Sequence, residues 1–399
     1  MNPEAYNFDL PVSRTGTGCL KWDRSKGKFG EDNILPLWIA DTDFCCPEQV
    51  TEAIRQRCGH QIFGYSFPTD DYYQSIMSWF KNRHGLSLKQ EWIRATCGVV
   101  TSISYSIQAL TQPGDKVLIQ PPVYDPFQAV ILGTGRTVVE NPLIYEDNTY
   151  HMDFDGLEDA FRNGVRLMVL CNPHNPVGRI WTADELSKVV ELCRRYQVWL
   201  VSDEIHCDIE LFGNRYTPIL SLPDSHPIAV CCVAPGKTFN LSGLGISSML
   251  IPNCDAHQKI FSKLRTAWLL NPPVLSITAS TAAYTYGGDW LDAKLSYLEG
   301  NSKMVRERLA CEAPHILPAV HEGMFLMWLN FRDFGLTDND LHEILIHTCH
   351  LGMNDGDHFG TGGEGFMRLN IGCSRQLLTQ AVDRLVQMHK AHFPEKERS

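Results

Sequence analysis

Long apolar runs are missing from this chain of 399 residues. No stretch approaches the ~20 residues a helix needs to cross a bilayer, which argues against a membrane-spanning helix. Blocks of Lys or Arg are missing as well. With 35 basic and 46 acidic residues the formal net charge is −11, so neither nucleic acid nor an anionic membrane is expected as a partner, because both need clustered cations. The opening MNPEAYNFDL has no basic start and no apolar core, and it does not read as a secretory signal. C-x-x-C is absent although there are 14 cysteines. Several of them (Cys97, Cys171, Cys193, Cys231, Cys232) fall in core-like segments, so the expectation is reduced thiols in a cytoplasmic protein. Internal repeats, low-complexity tracts and charge runs are also lacking.

What is present is ordinary globular composition, 44% hydrophobic and 20% charged, on a chain long enough for two domains. Apolar strand-like runs occur at 116–120 (KVLIQ), 166–171 (RLMVLC), 198–202 (VWLVS) and 228–234 (IAVCCVA). Helical periodicity lies between them, clearest in 182–196 with Thr182 as N-cap. Continuous apolar strands alternating with helices predict an α/β fold whose mostly parallel sheet is covered on both faces. From about residue 290 a long helix, two further strand-like runs (MFLMWLNF, GFMRLNIG), a helix at 338–350 and a last helix from about 375 suggest a smaller α+β unit. The expected division is an N-terminal arm, 1–45, a large domain, 46–289, and a small C-terminal domain, 290–399.

Two motifs are discounted. Gly360, Gly362 and Gly365 fit G-x-G-x-x-G, but the segment precedes a strand instead of following one, so a dinucleotide site is not expected. His342, His347 and His350 lack the H-E-x-x-H spacing of a zinc helix, and no metal is expected.

A different set converges on one sheet edge. In SDEIH, Asp203 and Glu204 follow an apolar strand directly, and ligands of open α/β sheets sit at the carboxyl ends of strands. Lys237, in APGKTFN, follows the next strand. Asn175, in NPHNPVG, follows the preceding one, held by two X-Pro units that favour extended or turn geometry. A lone lysine at a strand end is ordinarily a solvated charge. A lysine sharing its rim with a carboxylate can instead bond a carbonyl cofactor, the carboxylate facing a pyridinium nitrogen.

NPHNPVG, SDEIH, KTFN and FMRLN together resemble the aspartate aminotransferase fold, fold type I of the pyridoxal-phosphate (PLP) enzymes. CLKWD (19–23), LPLWIADTDF (35–44), FGYSFP (63–68), TCGVV (96–100), PPVYDPF (121–127) and GDWLDAKLSYLEGN (288–301) narrow the resemblance to its cystathionine β-lyase/C–S lyase branch, the MalY/PatB type. It runs in order over roughly residues 8–388. The resemblance implies a seven-stranded type of sheet, PLP as cofactor, and a homodimer with shared active sites acting on a small-molecule amino acid substrate.

By that resemblance Lys237 bonds covalently to the cofactor and moves the substrate α-proton, and Asp203 pairs with the pyridinium nitrogen. Asn175 and His206 lie near the phenolic oxygen. Tyr124 stacks on the ring and counts with Lys237 and Asp203 as catalytic. Gly98, Val99 and Val100 open a helix whose free N–H groups hold the phosphate, and Tyr65 reaches the phosphate from the neighbouring subunit. Arg368 grips the substrate carboxylate as a fork, assisted by the Ala40 backbone. Three positions depart from the pattern: Gly236 where Ser precedes the lysine, Thr42 in place of Met, and Thr101 in place of Pro. Thr101 or Thr238 stands as a substitute for the lost phosphate hydroxyl.

The implied reaction is β-elimination from L-cystathionine or another L-cysteine S-conjugate to thiol, pyruvate and ammonia. An aminotransferase and a non-catalytic regulatory protein on the same scaffold are the rivals. Which thiol leaves, the pathway and any regulator are not encoded legibly.

Overall fold

A computed structural model describes residues 6–222 and 224–394; the first residues of the expected arm and the last of the expected C-terminal unit lie outside them. The central sheet has seven strands: β1 Ile93–Thr96, β2 Lys116–Ile119, β3 Thr137–Glu140, β4 Val165–Cys171, β5 Trp199–Asp203, β6 Ala229–Val233 and β7 Ser247–Leu250. Their spatial order is β1-β7-β6-β5-β4-β2-β3. All pairings are parallel except the two made by β7.

The apolar runs read as they do because each strand is buried on both faces. Along β4, Leu167, Val169 and Cys171 join one core cluster while Met168 and Leu170 join the other. The same alternation in β5 sends Leu200 to one side and Val201 to the other. Asp203 shares the Val201 side by the period-two rule. Helices around the sheet and the site include α1 Glu48–Gly59, α2 Asp70–His84, α3 Val99–Leu110, α4 Ala183–Tyr196, the single turn α5 Pro235–Thr238, α6 Val274–Tyr286, α7 Gly288–Glu312 and α8 Arg375–His392. Helix α3 lies on the Val201 side, its Val99, Ile103 and Ile107 in that cluster.

Helix α4 starts at the cap read from its sequence. Thr182 Oγ1 accepts from the Glu185 N–H at 3.2 Å, and the Glu185 carboxylate accepts from the Thr182 N–H at 2.8 Å, a reciprocal capping box. Helix α7 carries the chain to a four-stranded antiparallel sheet of β8 Leu317–Pro318, β9 Leu326–Asn330, β10 Asn354–Asp355 and β11 Phe366–Asn370, in the order β8-β9-β11-β10. The helix expected at 338–350 is α-helical only over Asp338–Glu343. It continues as a π-turn, Ile344–Thr348, with the Cys349 N–H bonded to the Ile344 carbonyl at 3.0 Å. Leu35–Pro36 pairs in parallel with Leu351–Gly352 as a separate two-stranded sheet, tying the early segment to the C-terminal part of the chain.

Candidate active site

The carboxyl ends of β4, β5 and β6 open on a cavity of about 330 Å³. Its wall includes Lys237, Asp203, His206, Asn175, Tyr124, Gly98, Val99, Val100 and Ala40. These are nine of the residues singled out from sequence, drawn from segments some two hundred residues apart. Two are placed elsewhere. Arg368 lies behind Asn175, donating to its Oδ1 at 3.0 Å. Tyr65 is fully exposed on a separate groove beside α1, α2 and α6.

Asp203 ends β5 and is buried, with Oδ1 accepting from the Ile205 N–H at 3.1 Å. Burial pushes its carboxyl up to about 7, against the pull of that N–H and of the Lys237 charge. A cationic N–H donor in the cavity would hold it ionised. Lys237 reaches the cavity from α5 and donates to the Ala40 carbonyl at 2.5 Å. Burial lowers its ammonium to about 8, while Asp41 and Asp203 act upward and Arg368 downward. An amine of this kind reaches the neutral, nucleophilic form near neutral pH.

His206 is buried, and among the described residues its Nδ1 has no hydrogen-bond partner. Burial, then the charges of Lys237, Arg368 and Lys294, hold it well below its ordinary value, so it stays a neutral imidazole. The Tyr124 phenol is raised by burial and then by Asp203. Gly98, at φ 151 and ψ 153, N-caps α3 in a conformation open to glycine, and the first turn of α3 borders the cavity through Gly98, Val99 and Val100. Arg368 is buried and donates to the Trp38 carbonyl at 2.8 Å and Asn354 Oδ1 at 2.7 Å, with Phe359 beneath the guanidinium. Among the described residues it has no carboxylate partner, so a structural ion pair is not its role.

The early segment fixes the lip. Arg14 bonds both Asp41 and Asp43, and the fully buried Lys21 bonds Asp43 at 2.8 Å. Asn370 donates to the Ile39 and Asp41 carbonyls, each at 2.6 Å. Ala40 is thereby clamped beside Lys237.

Two further features, Ser242 and Lys294, were not read from sequence. Ser242 lines the cavity, and its Oγ lies 3.2 Å from where a Cβ on Gly236 would stand. Of the two candidates for the missing serine hydroxyl, Thr101 lines the cavity, whereas Thr238 does not, its hydroxyl being donated to Asp208 at 2.6 Å. Lys294 is fully buried behind the site. His342 pairs with Asp355, His347 with Glu31 and Glu343, and the glycines at 360–365 precede β11.

A buried carboxylate with one backbone donor, a depressed lysine, an aromatic ring and an open helix N-terminus in one cavity are the donors that a phosphorylated pyridine aldehyde requires. Together with the sheet order they define a fold type I pyridoxal-phosphate protein. Residues 33–385 match the family profile of class I and II aminotransferases, and the chain belongs to that family. It is 41% identical to cystathionine beta-lyase PatB of Bacillus subtilis over 381 residues, 95% of this chain and 98% of PatB. Cystalysin from Treponema denticola, solved with pyridoxal 5′-phosphate, superposes with a TM-score of 0.94 at 31% identity, covering 97% of this chain and 99% of that one. The PLP-bound C–S lyase of Staphylococcus hominis complexed with L-cycloserine gives 0.90 at 29% identity, covering 96% and 98%.

Proposed function

We propose that this protein is a PLP-dependent carbon–sulfur β-lyase. It takes L-cystathionine or a related L-cysteine S-conjugate, with water, to a thiol, pyruvate and ammonia. The observation that carries the reading is the single cavity joining Lys237, Asp203, Asn175, Tyr124 and the α3 N-terminus. PatB and the S. hominis lyase, similar over nearly the whole chain, carry the lyase activity in their names.

When bound, PLP supplies an electron sink for charge developing at the substrate α-carbon. Lys237 would hold the aldehyde carbon covalently and, once released by substrate, take the α-proton; its lowered pKa suits both tasks. Asp203 would keep the ring nitrogen protonated, because a carboxylate buried in a dry wall favours a cationic neighbour. Asn175 and the neutral His206 would face the phenolic oxygen, and Tyr124 would cover one ring face. Gly98, Val99 and Val100 would bind the phosphate through the helix end, with the Ser242 hydroxyl standing where residue 236 offers none. Arg368 would receive the substrate carboxylate, the Ala40 backbone lying beside it.

Tyr65 would reach a phosphate across a homodimer interface, supported by the exposed Ile62, Phe63 and Phe67 around it. The two sheets support the division at 46–289 and 290–399 with an arm at 1–45. No described helix is long and apolar enough to cross a membrane; a cytoplasmic location is part of the proposal and rests on cysteine usage.

Incubation with L-cystathionine should release pyruvate and a thiol with no added 2-oxo acid, and Lys237→Ala should abolish both. Amino-group transfer to an added 2-oxo acid without thiol release would instead make the protein an aminotransferase.

A further inference from the structure

The α5 turn that carries Lys237 is only four residues long, so its carbonyls need partners from outside. The Pro235 carbonyl accepts from the Phe239 N–H and the Gly236 carbonyl from the Leu241 N–H, each at 2.9 Å. The next two carbonyls, those of Lys237 and Thr238, both accept from Lys294 Nζ at 2.9 Å. Lys294 comes from α7, and its Nζ also sits 5.4 Å from the Trp290 ring centroid and 5.2 Å from that of Phe325. It is wholly buried and makes no ion pair within 4 Å among the described residues, though Asp208 lies near enough to favour its charge. The Thr238 hydroxyl is tied the other way, to Asp208 Oδ2, while Asp208 Oδ1 accepts from Trp79 Nε1 at 2.8 Å and bonds His84 Nε2 at 2.7 Å, both on α2.

We propose that Lys294 is a positioning residue for Lys237: it caps the last two carbonyls of α5 and thereby fixes the turn from which the Lys237 side chain enters the cavity. The inference rests on the reading of Lys237 as the cofactor-bonding lysine. A lysine buried on an apolar helix face costs stability, since burial drives its ammonium down to about 7. Such a group persists where its geometry is needed, and here both its hydrogen bonds go to main-chain atoms of Lys237 and its neighbour. The arrangement also links α7, which leads to the second sheet, to the backbone of the reacting residue.

Around this point the charged and titratable groups are Asp208 and His84 behind Thr238, His206 beyond Phe325, and Asp41, Asp203 and Arg368 facing Lys237. The Lys237 charge is one of the causes that lower Lys294, so the two amines disfavour each other's proton.

The test uses the holoenzyme and compares Lys294→Met, which keeps bulk but has no donor, with Lys294→Gln, which keeps two N–H donors without charge. In both, the pH midpoint of the cofactor's visible absorption band should move upward by roughly one unit, because a nearby cation is gone. Turnover should fall about tenfold or more in Lys294→Met with KM within about twofold, and return to within about threefold of the parent in Lys294→Gln. Equal impairment of both variants, or a midpoint unmoved in either, overturns the positioning role. If Lys294→Met does not fold, the midpoint of Lys294→Gln decides alone. Borohydride reduction of the unmodified holoenzyme followed by peptide mapping tests the underlying reading separately: label at Lys237 sustains it, and label elsewhere removes both.

Discussion

Asp203 is costly to the folded chain without its cofactor. Its carboxyl titrates near 7 in the fold, against an ordinary 3.8, chiefly because of burial. Between about pH 4 and pH 7 the unfolded chain releases that proton while the folded chain keeps it, so rising pH favours unfolding through this window. Above pH 7 the penalty is complete, on the order of 4 kcal/mol from the size of the shift; below pH 4 it is gone. Asp203→Asn removes the titration. In urea unfolding of the cofactor-free proteins, the variant should gain on the parent as pH rises from 5 to 8, while binding PLP more weakly. A stability difference that does not change with pH would show that burial of this carboxylate is not what shifts it. The residue is thus a site of stored destabilisation that, on the proposed reading, a cationic ring nitrogen would relieve.

At the scale of elements, α4 connects helix chemistry to site geometry. Glu185 accepts from the Thr182 main chain and hydroxyl, both at 2.8 Å, and pairs with Arg179 at 3.1 Å; Arg179 also lies 3.2 Å from Glu322. Arg179 closes the loop that presents Asn175, its carbonyl accepting from the His174 N–H. Thr182→Ala should cost about 1 kcal/mol in denaturant unfolding, as loss of an N-cap does. KM should stay near the parent value, because Arg179 keeps Glu185 and Glu322; a KM increase comparable to loss of Asn175 would show that the cap itself positions the loop. This cap was legible because a Thr followed three residues later by Glu is a local signal. So were the strands β4, β5 and β6, whose apolar runs match the observed strands to within one or two residues. The π-turn after Glu343 was not, since the pattern of ILIHTCH is helical and only its i→i+5 bond distinguishes it. Lys294 stood in the buried phase of α7, with Leu291, Leu298 and Val305 on the same face, and a lysine in an apolar stripe was the available signal. Its partners, two carbonyls more than fifty residues earlier, could not be read from spacing.

At the scale of the whole molecule, the chain does not bring all its proposed site residues together. Tyr65 is fully exposed, and its groove of about 1200 Å³ is distinct from the Lys237 cavity. A tyrosine ring beside exposed Phe63, Phe67 and Ile62 is an unusual amount of apolar surface to leave in water. A second copy, placed by a two-fold axis, would cover it and deliver the hydroxyl to the other subunit's phosphate site. The geometry gives a sharp test. On that arrangement Tyr65→Ala would impair a site only when it lies in the subunit that lends the tyrosine, whereas Lys237→Ala would disable the site of its own subunit. Unfolded and refolded together in equal amounts, the two variants should form mixed dimers in which one site has both native residues and the other has neither. Random pairing makes about half the dimers mixed with one working site of two, so activity should approach roughly a quarter of the parent. That exceeds the average of the two separate variants once Tyr65→Ala alone falls well below half. If Tyr65 served its own subunit, mixing would leave activity at that average, and sedimentation would still report dimers; recovery above it requires that a residue cross the interface.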